Sequence, residues 1–225
     1  MSGVSAVWCV NFVRTGLEGG HRNGLSKEGS MTRLPPIGPE ELTDKQRLLF
    51  EAMSVGVSAK YDAFITTRAD GALLGPWNAW LHDPELGEAF WTVTQAMTKA
   101  RRIPEAPRQV AILVTGAHFG AAYEIYAHGA VASARLAMSE RRIATLAAGE
   151  RPEDLDAGEA VAHDVAKALL RGGVLADPLY ALAMKRFGQE GVNELIYLVG
   201  HYCFVSMTLN GFAIPVPTQA PTRSR

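Results

Sequence analysis

The chain has 225 residues, which at roughly 100–200 residues per domain points to one domain with an extension or tail. Hydrophobic residues make up 48%, which excludes wholesale disorder and supplies a sizeable core. Charge is balanced, 22 basic against 23 acidic residues for a formal net charge of −1, without the basic excess or stripe of a nucleic-acid-binding chain.

Residues 1–33 show no sustained period and read as a disordered or mis-assigned N-terminal extension, with Met31 as an alternative start. The apolar run from Ala6 to Val13 is short and lacks a preceding basic region, so it does not read as an export signal. A helical domain is expected over residues 34–217. Thr43-Asp44-Lys45-Gln46 is a capping box and opens a helix to about Met53. Residues 54–80, with Gly56, Gly71, Gly75 and Pro76, read as irregular. Asp83-Pro84 combines an N-cap with a first-turn proline, and the helix it starts carries Leu86, Phe90, Val93 and Met97 on one face to near Arg102. Residues 108–137 form an Ala-rich helix with a bend at Gly116 or Gly120. Ser139 caps a short helix through Leu146.

Pro152-Glu153 opens the next helix, which Gly172-Gly173 ends. Asp177-Pro178 starts another, stopped by Gly188, and a final helix runs from Gln189 to about Leu209. From Leu195 to Pro217 there is no Asp, Glu, Lys or Arg, a length that could span a bilayer. His201, Ser206, Thr208, Asn210 and Pro215 interrupt the run and no basic flank orients it, so it reads as a buried or interface helix rather than a membrane span. Residues 218–225 read as a flexible tail. No alternating β-branched pattern is sustained anywhere, so the fold class is all-α, with about seven helices. Cys9 and Cys203 are the only cysteines, which excludes a disulfide framework, a C-x-x-C dithiol and a cysteine-rich zinc site, and fits a reducing cytoplasm.

Chemistry centres on Glu124 and His128. Four residues apart on a helix, they project from one face a turn apart, flanked by Ala121, Ile125, Val131 and Ala132, so they are expected to be mostly buried. Burial disfavours both charged forms while mutual attraction favours them, a balance suited to proton transfer near neutral pH. On spacing alone, an ordinary helix-stabilising pair is the commoner arrangement. His118 lies a quarter-turn or more away from this face at ~100° per residue, and there is no H-E-x-x-H, so no metal is expected. Arg108 can clamp a carboxylate or stand solvated beside Pro107. His201 and Tyr202 read as core or interface groups, and Trp77 and Trp80 as packing residues.

Leu74-Gly75-Pro76-Trp77, Pro84-Glu85-Leu86, the stretch from Arg108 to Ala132 centred on Tyr123-Glu124 and His128, Asp177-Pro178-Leu179-Tyr180, Phe187-Gly188, Glu194-Leu195, Tyr202 and Asn210 follow one another in an order that resembles the carboxymuconolactone decarboxylase family, which includes the AhpD-type alkylhydroperoxidases. The resemblance covers most of residues 34–217. It implies an AhpD-like helical bundle that assembles as a trimer, hexamer or related homo-oligomer. In the peroxidase branch a C-x-x-C precedes a His by four residues, with a Glu upstream. Aligned on His128, the cysteine positions are Ala121 and Glu124 and the upstream Glu position is Gln109, so thiol peroxidase activity is expected to be lost.

The decarboxylase branch has a Glu and a His four apart, as Glu124 and His128 are. The resemblance therefore implies a cytoplasmic, cofactor-free lyase or isomerase of aromatic catabolism acting on a small carboxylated lactone or similar enolisable acid. His128 would donate the proton, Glu124 would orient it, and Arg108, Tyr123 and Tyr202 would bind substrate. The expected partners are this small molecule and further copies of the chain, with neither nucleic acid nor membrane. The alternatives are a peroxiredoxin-related protein lacking the dithiol and relying on Cys203 alone, or a small-molecule binder without turnover.

Overall fold

Helix-capping chemistry sets most element starts in the structure, a computed structural model that describes residues 32–217. The expectations for residues 1–31, including Cys9, and for residues 218–225 lie outside the described residues. Thr43 and Gln46 form the expected capping box of α1 (Asp44–Lys60). Pro76 opens the short α2 (Pro76–Leu81), and Asp83 caps α3 (Pro84–Lys99) by accepting from the Leu86 backbone N–H. Then follow α4 (Glu105–Phe119), α5 (Ala122–Leu136), α6 (Glu140–Ala147), α7 (Ala157–Arg171) and α8 (Asp177–Gly211). A 3₁₀ turn at Pro39–Glu41 precedes them, and the only β pairing among the described residues is an isolated antiparallel bridge between Thr67 and Leu73. The all-α expectation holds.

Several boundaries differ from the sequence reading for physical reasons. The first helix continues past Met53 to Lys60, because Met53 and Val57 continue its buried stripe across Gly56. The stretch read as irregular thus contributes the end of α1 and the whole of α2. The Ala-rich segment is two helices, with α4 ended by Gly120 in the left-handed conformation (φ 58, ψ 31). Pro152-Glu153 does not open α7. Asp156 does, accepting from the backbone N–H groups of Gly158 and Glu159 in a capping box with the Glu159 side chain. Gly188 interrupts α8 as expected, with φ 66 and ψ 178, a conformation essentially reserved for glycine.

The packed layers centre on α4, in which every residue from Pro107 to Gly116 is buried. Val110, Ile112 and Leu113 meet Ala162, Val165 and Ala166 of α7 and Leu195 and Leu198 of α8 in one core cluster. A second cluster joins Met53 and Val57 of α1, Trp77 and Trp80 of α2, Trp91 of α3, Tyr123 and Val131 of α5 and Val205 of α8. The face expected to be buried on α3 is not the one that packs: Leu86 and Val93 are exposed, and Gly87, Trp91 and Thr94 face inward. The indole of Trp91 supplies the buried area there, so the aliphatic period was misleading. No helix among the described residues is long and apolar enough to cross a membrane.

The α2–α3 corner depends on one missing methyl. A Cβ built on Gly87 would lie 2.2 Å from the Trp80 carbonyl oxygen. Helix propensity alone favours Gly→Ala by up to about 1 kcal/mol. We expect Gly87→Ala instead to destabilise by about 1–3 kcal/mol through overpacking against rigid backbone. Urea unfolding checks this, and a variant at least as stable as the parent would contradict the packing.

Candidate functional site

Helix α5 presents Tyr123, Glu124, Ala127, His128 and Val131 to the interior, because 123, 127 and 131 recur at helical spacing and 124 and 128 share the adjoining stripe. Glu124 is 3% and His128 7% exposed, so the expectation of a buried pair holds. Their Nε2 and Oε1 atoms are 3.1 Å apart. They are close in distance but not aligned as a hydrogen bond, and Glu124 Oε1 is buried with no donor directed at it.

The other imidazole nitrogen is fixed by α4. His128 Nδ1 lies 2.8 Å from Gln109 Oε1, and Gln109 Nε2 donates to Glu105 Oε1 at 2.8 Å. A carboxylate accepts only, so Glu105 assigns the Gln109 amide with its nitrogen outward and its oxygen toward His128. An amide oxygen also accepts only, so Nδ1 must carry a proton. Were Nε2 then bare and Glu124 ionised, two lone pairs would face each other at 3.1 Å inside the protein. The contact becomes favourable once one of the two atoms carries a proton and the groups turn to share it.

Two cavities meet at His128. The first, of about 40 Å³, is walled by Trp77, Trp80, Tyr123, Glu124, His128 and His201 among others. The indole Nε1 atoms of Trp77 and Trp80 are buried without an acceptor in the described residues. The second, of about 130 Å³, is lined by Lys60, Arg101, Glu105, Arg108, Gln109 and Arg135 among others. Tyr61, His128 and Tyr202 line both and so stand between them. The Tyr202 ring meets the His128 imidazole edge-on, centroids 4.9 Å apart.

Burial raises the Tyr61, Tyr123 and Tyr202 phenols above their ordinary range, which keeps them neutral. His201 is pushed down to about 4, first by burial and then by His128 and Arg108, so it stays neutral at physiological pH. Thr94 Oγ1 donates to the Phe90 carbonyl at 2.8 Å, leaving its lone pair to accept from His201 Nε2 at 3.4 Å.

The sequence-derived residues separate accordingly. Glu124, His128, Tyr123 and Tyr202 come together around the first cavity. Arg108 lines the second, but its Nη1 is paired with buried Glu194 and its Nη2 donates to the Met97 carbonyl at 2.9 Å, while Glu194 Oε2 accepts from the Arg102 N–H at 2.7 Å. This guanidinium braces α3, α4 and α8. His118 lines neither cavity, and among the described residues no group of three or more His, Cys, Asp or Glu side chains is arranged to hold a metal. Burial pushes the half-buried Cys203 thiol up, which disfavours its thiolate.

Trp77, Trp80 and His201, read from the sequence as packing or core groups, are cavity walls. The i, i+4 spacing of Glu105 and Gln109 was the available signal for the amide orientation. Nothing local marked the indoles.

No family model matches the chain, and no curated protein matches it. Solved structures do match in fold. A peroxidase-related protein of uncharacterised function from Silicibacter sp. TM1040 superposes with a TM-score of 0.67 at 17% identity, over 87% of this chain and 96% of the other. A second such protein, described as an alkylhydroperoxidase AhpD core and from Ralstonia eutropha JMP134, gives 0.65 at 16% identity, over 83% and 93% of the two chains. The debrominase Bmp8, solved with 2,3,4-tribromopyrrole, gives a TM-score of 0.61 at 13% identity, over 82% and 91%. The chain has the AhpD-like fold.

The neutral His201 has a consequence for stability. Between its ordinary 6.5 and its folded value of about 4, the unfolded chain takes up a proton that the folded chain refuses. The unfolded state then binds more protons, so stability falls as pH drops through this window, by about 3 kcal/mol from this group. Urea denaturation at pH 7 and pH 4.5 is expected to show a smaller loss in His201→Gln than in wild type. Equal losses would contradict the assignment.

Proposed function

We propose that this AhpD-fold chain is a cofactor-free lyase or isomerase acting on a small carboxylated lactone or similar enolisable acid, with His128 as proton donor and Glu124 as its partner. The observation that carries this reading is the buried Glu124–His128 pair at the wall of a cavity, with Nδ1 fixed by Gln109 so that the labile proton sits at Nε2 or on Glu124. In 4-carboxymuconolactone the departing carboxylate is vinylogous to a lactone carbonyl. Breaking the C–C bond releases CO₂ and leaves its electron pair delocalised into that carbonyl as a dienolate. The Nε2 proton then goes to carbon, and solvent returns a proton to the pair. On this reading the N–H groups of Trp77 and Trp80, buried without an acceptor among the described residues, would turn toward a developing oxyanion, where such donors act strongly. Tyr123 and Tyr202 would contact the bound ring.

Self-association is part of the same reading. Leu86 and Val93 lie a turn on either side of Phe90, which packs on Phe204 with ring centroids 4.0 Å apart, and Tyr197 and Met207 are exposed on the same stretch of α8. These side chains supply an apolar surface for a second copy. Light scattering should give a multiple of the chain mass, and Val93→Glu with Met207→Glu should shift it to a monomer. A wild-type monomer at micromolar concentration would contradict this part.

Proton NMR with 4-carboxymuconolactone, related lactones and 3-oxo acids tests the chemistry. We expect turnover, or exchange of substrate C–H for deuterium in D₂O, to fall by about 10²–10⁴ in His128→Ala and in Glu124→Gln. Turnover that survives both substitutions would contradict the roles. Saturable binding with neither turnover nor exchange would support the binder instead.

A further inference from the structure

The second cavity carries more positive side chains than its neighbourhood neutralises. Lys60, Arg101, Arg108 and Arg135 line it together with one carboxylate, Glu105. Two of the four cations are committed. Arg108 is paired with buried Glu194, and Arg135 donates to Asp62 at 2.8 Å and to the Lys60 backbone carbonyl. That last bond ties the C-terminal end of α1 to α5 and so fixes the backbone from which the Lys60 side chain reaches the cavity.

Lys60 has no carboxylate within ion-pair distance among the described residues. Arg101 approaches Glu105 only to 4.0 Å and spends one N–H on the adjacent Ala100 carbonyl. Glu105 is itself engaged by Gln109. Lys60, unpaired among the described residues, and Arg101, held to Glu105 only at the limit of ion-pair distance, therefore both line the second cavity, which shares Tyr61, His128 and Tyr202 with the aromatic cavity.

We infer that the second cavity is an anion-binding subsite, in which Lys60 and Arg101 hold a carboxylate of the substrate that does not react, while the reacting carbon lies in the aromatic cavity across His128. The inference rests on the proton-transfer reading of His128 and narrows its substrate class to small acids that keep an anionic group outside the reacting centre. Arg108, the carboxylate clamp suggested by the sequence, is then a brace, and the clamp is formed by residues from the end of α1 and the α3–α4 connection. A guanidinium and an ammonium in a partly enclosed site give charge-assisted hydrogen bonds that a neutral isostere cannot make.

The test is binding, kept separate from turnover. Benzoate and its neutral isostere benzamide are titrated into the ¹⁵N-labelled full chain at low ionic strength. Wild type should bind benzoate roughly tenfold more tightly than benzamide, the ratio expected for one charge-assisted hydrogen bond gained. Lys60→Met with Arg101→Gln should bring the ratio to about one through loss of benzoate affinity, with benzamide unchanged. Both side chains are partly exposed, so the double variant should fold, which its amide spectrum verifies.

No saturable benzoate binding, a wild-type ratio near one, or a ratio that persists in the double variant would overturn the subsite. So would a ratio lost only in Arg108→Gln, which would return the clamp to Arg108. None of these outcomes bears on proton exchange at His128. Conversely, a preserved ratio in a protein without exchange activity would leave the anion subsite standing and remove the proton-transfer reading beneath it.

Discussion

The hydrogen bond from His128 Nδ1 to Gln109 Oε1 decides what the rest of the site can do. An imidazole alone could place its proton on either nitrogen. The amide oxygen removes that choice, because it has only lone pairs to offer, and Glu105 removes the amide's own freedom to turn over. The second nitrogen is left facing a buried carboxylate oxygen that no other group satisfies. That contact is favourable only when one of the two atoms carries a proton, and on the proposed reading this is the proton transferred at the cavity wall.

Packing keeps this geometry in place. Gln109 and Arg108 are neighbours on α4, which is buried along most of its length, and Arg108 is locked to Glu194 of α8. Removing either partner of that pair would leave an uncompensated buried charge, at a typical cost of about 3–5 kcal/mol. The brace and the proton site therefore rise or fall together. From α5, the Tyr123–Val131 stripe anchors the other half of the pair in the tryptophan-rich cluster. The two cores thus hold one residue each of the Gln109–His128 contact, and the cavities occur where the cores meet.

Much of this was legible in the sequence. The Thr43 capping box, the Asp83-Pro84 pair and the Ser139 cap marked the starts of α1, α3 and α6, and Gly188 marked the break in α8, because those signals act within a single turn. The Glu124–His128 pair was legible because both residues belong to one helix. Three kinds of information were not local. Leu86 and Val93 satisfied a helical period yet face outward, since the burial of Trp91 decides the orientation of α3. The buried partner of Arg108 comes from a residue 86 positions away. Trp77 and Trp80 looked like core indoles and are largely buried, but only the meeting of α2 with α5 and α8 makes them walls of a cavity.

The most direct measurement is the ¹⁵N NMR of the His128 side chain in the intact wild-type chain at neutral pH. The account predicts a proton on Nδ1, seen as a directly bonded N–H whose signature is lost in Gln109→Leu, together with an Nε2 shift that responds to Glu124→Gln. A ring with Nδ1 bare and a proton only on Nε2, insensitive to both substitutions, would show that the Gln109 amide does not set the tautomer and would contradict the account.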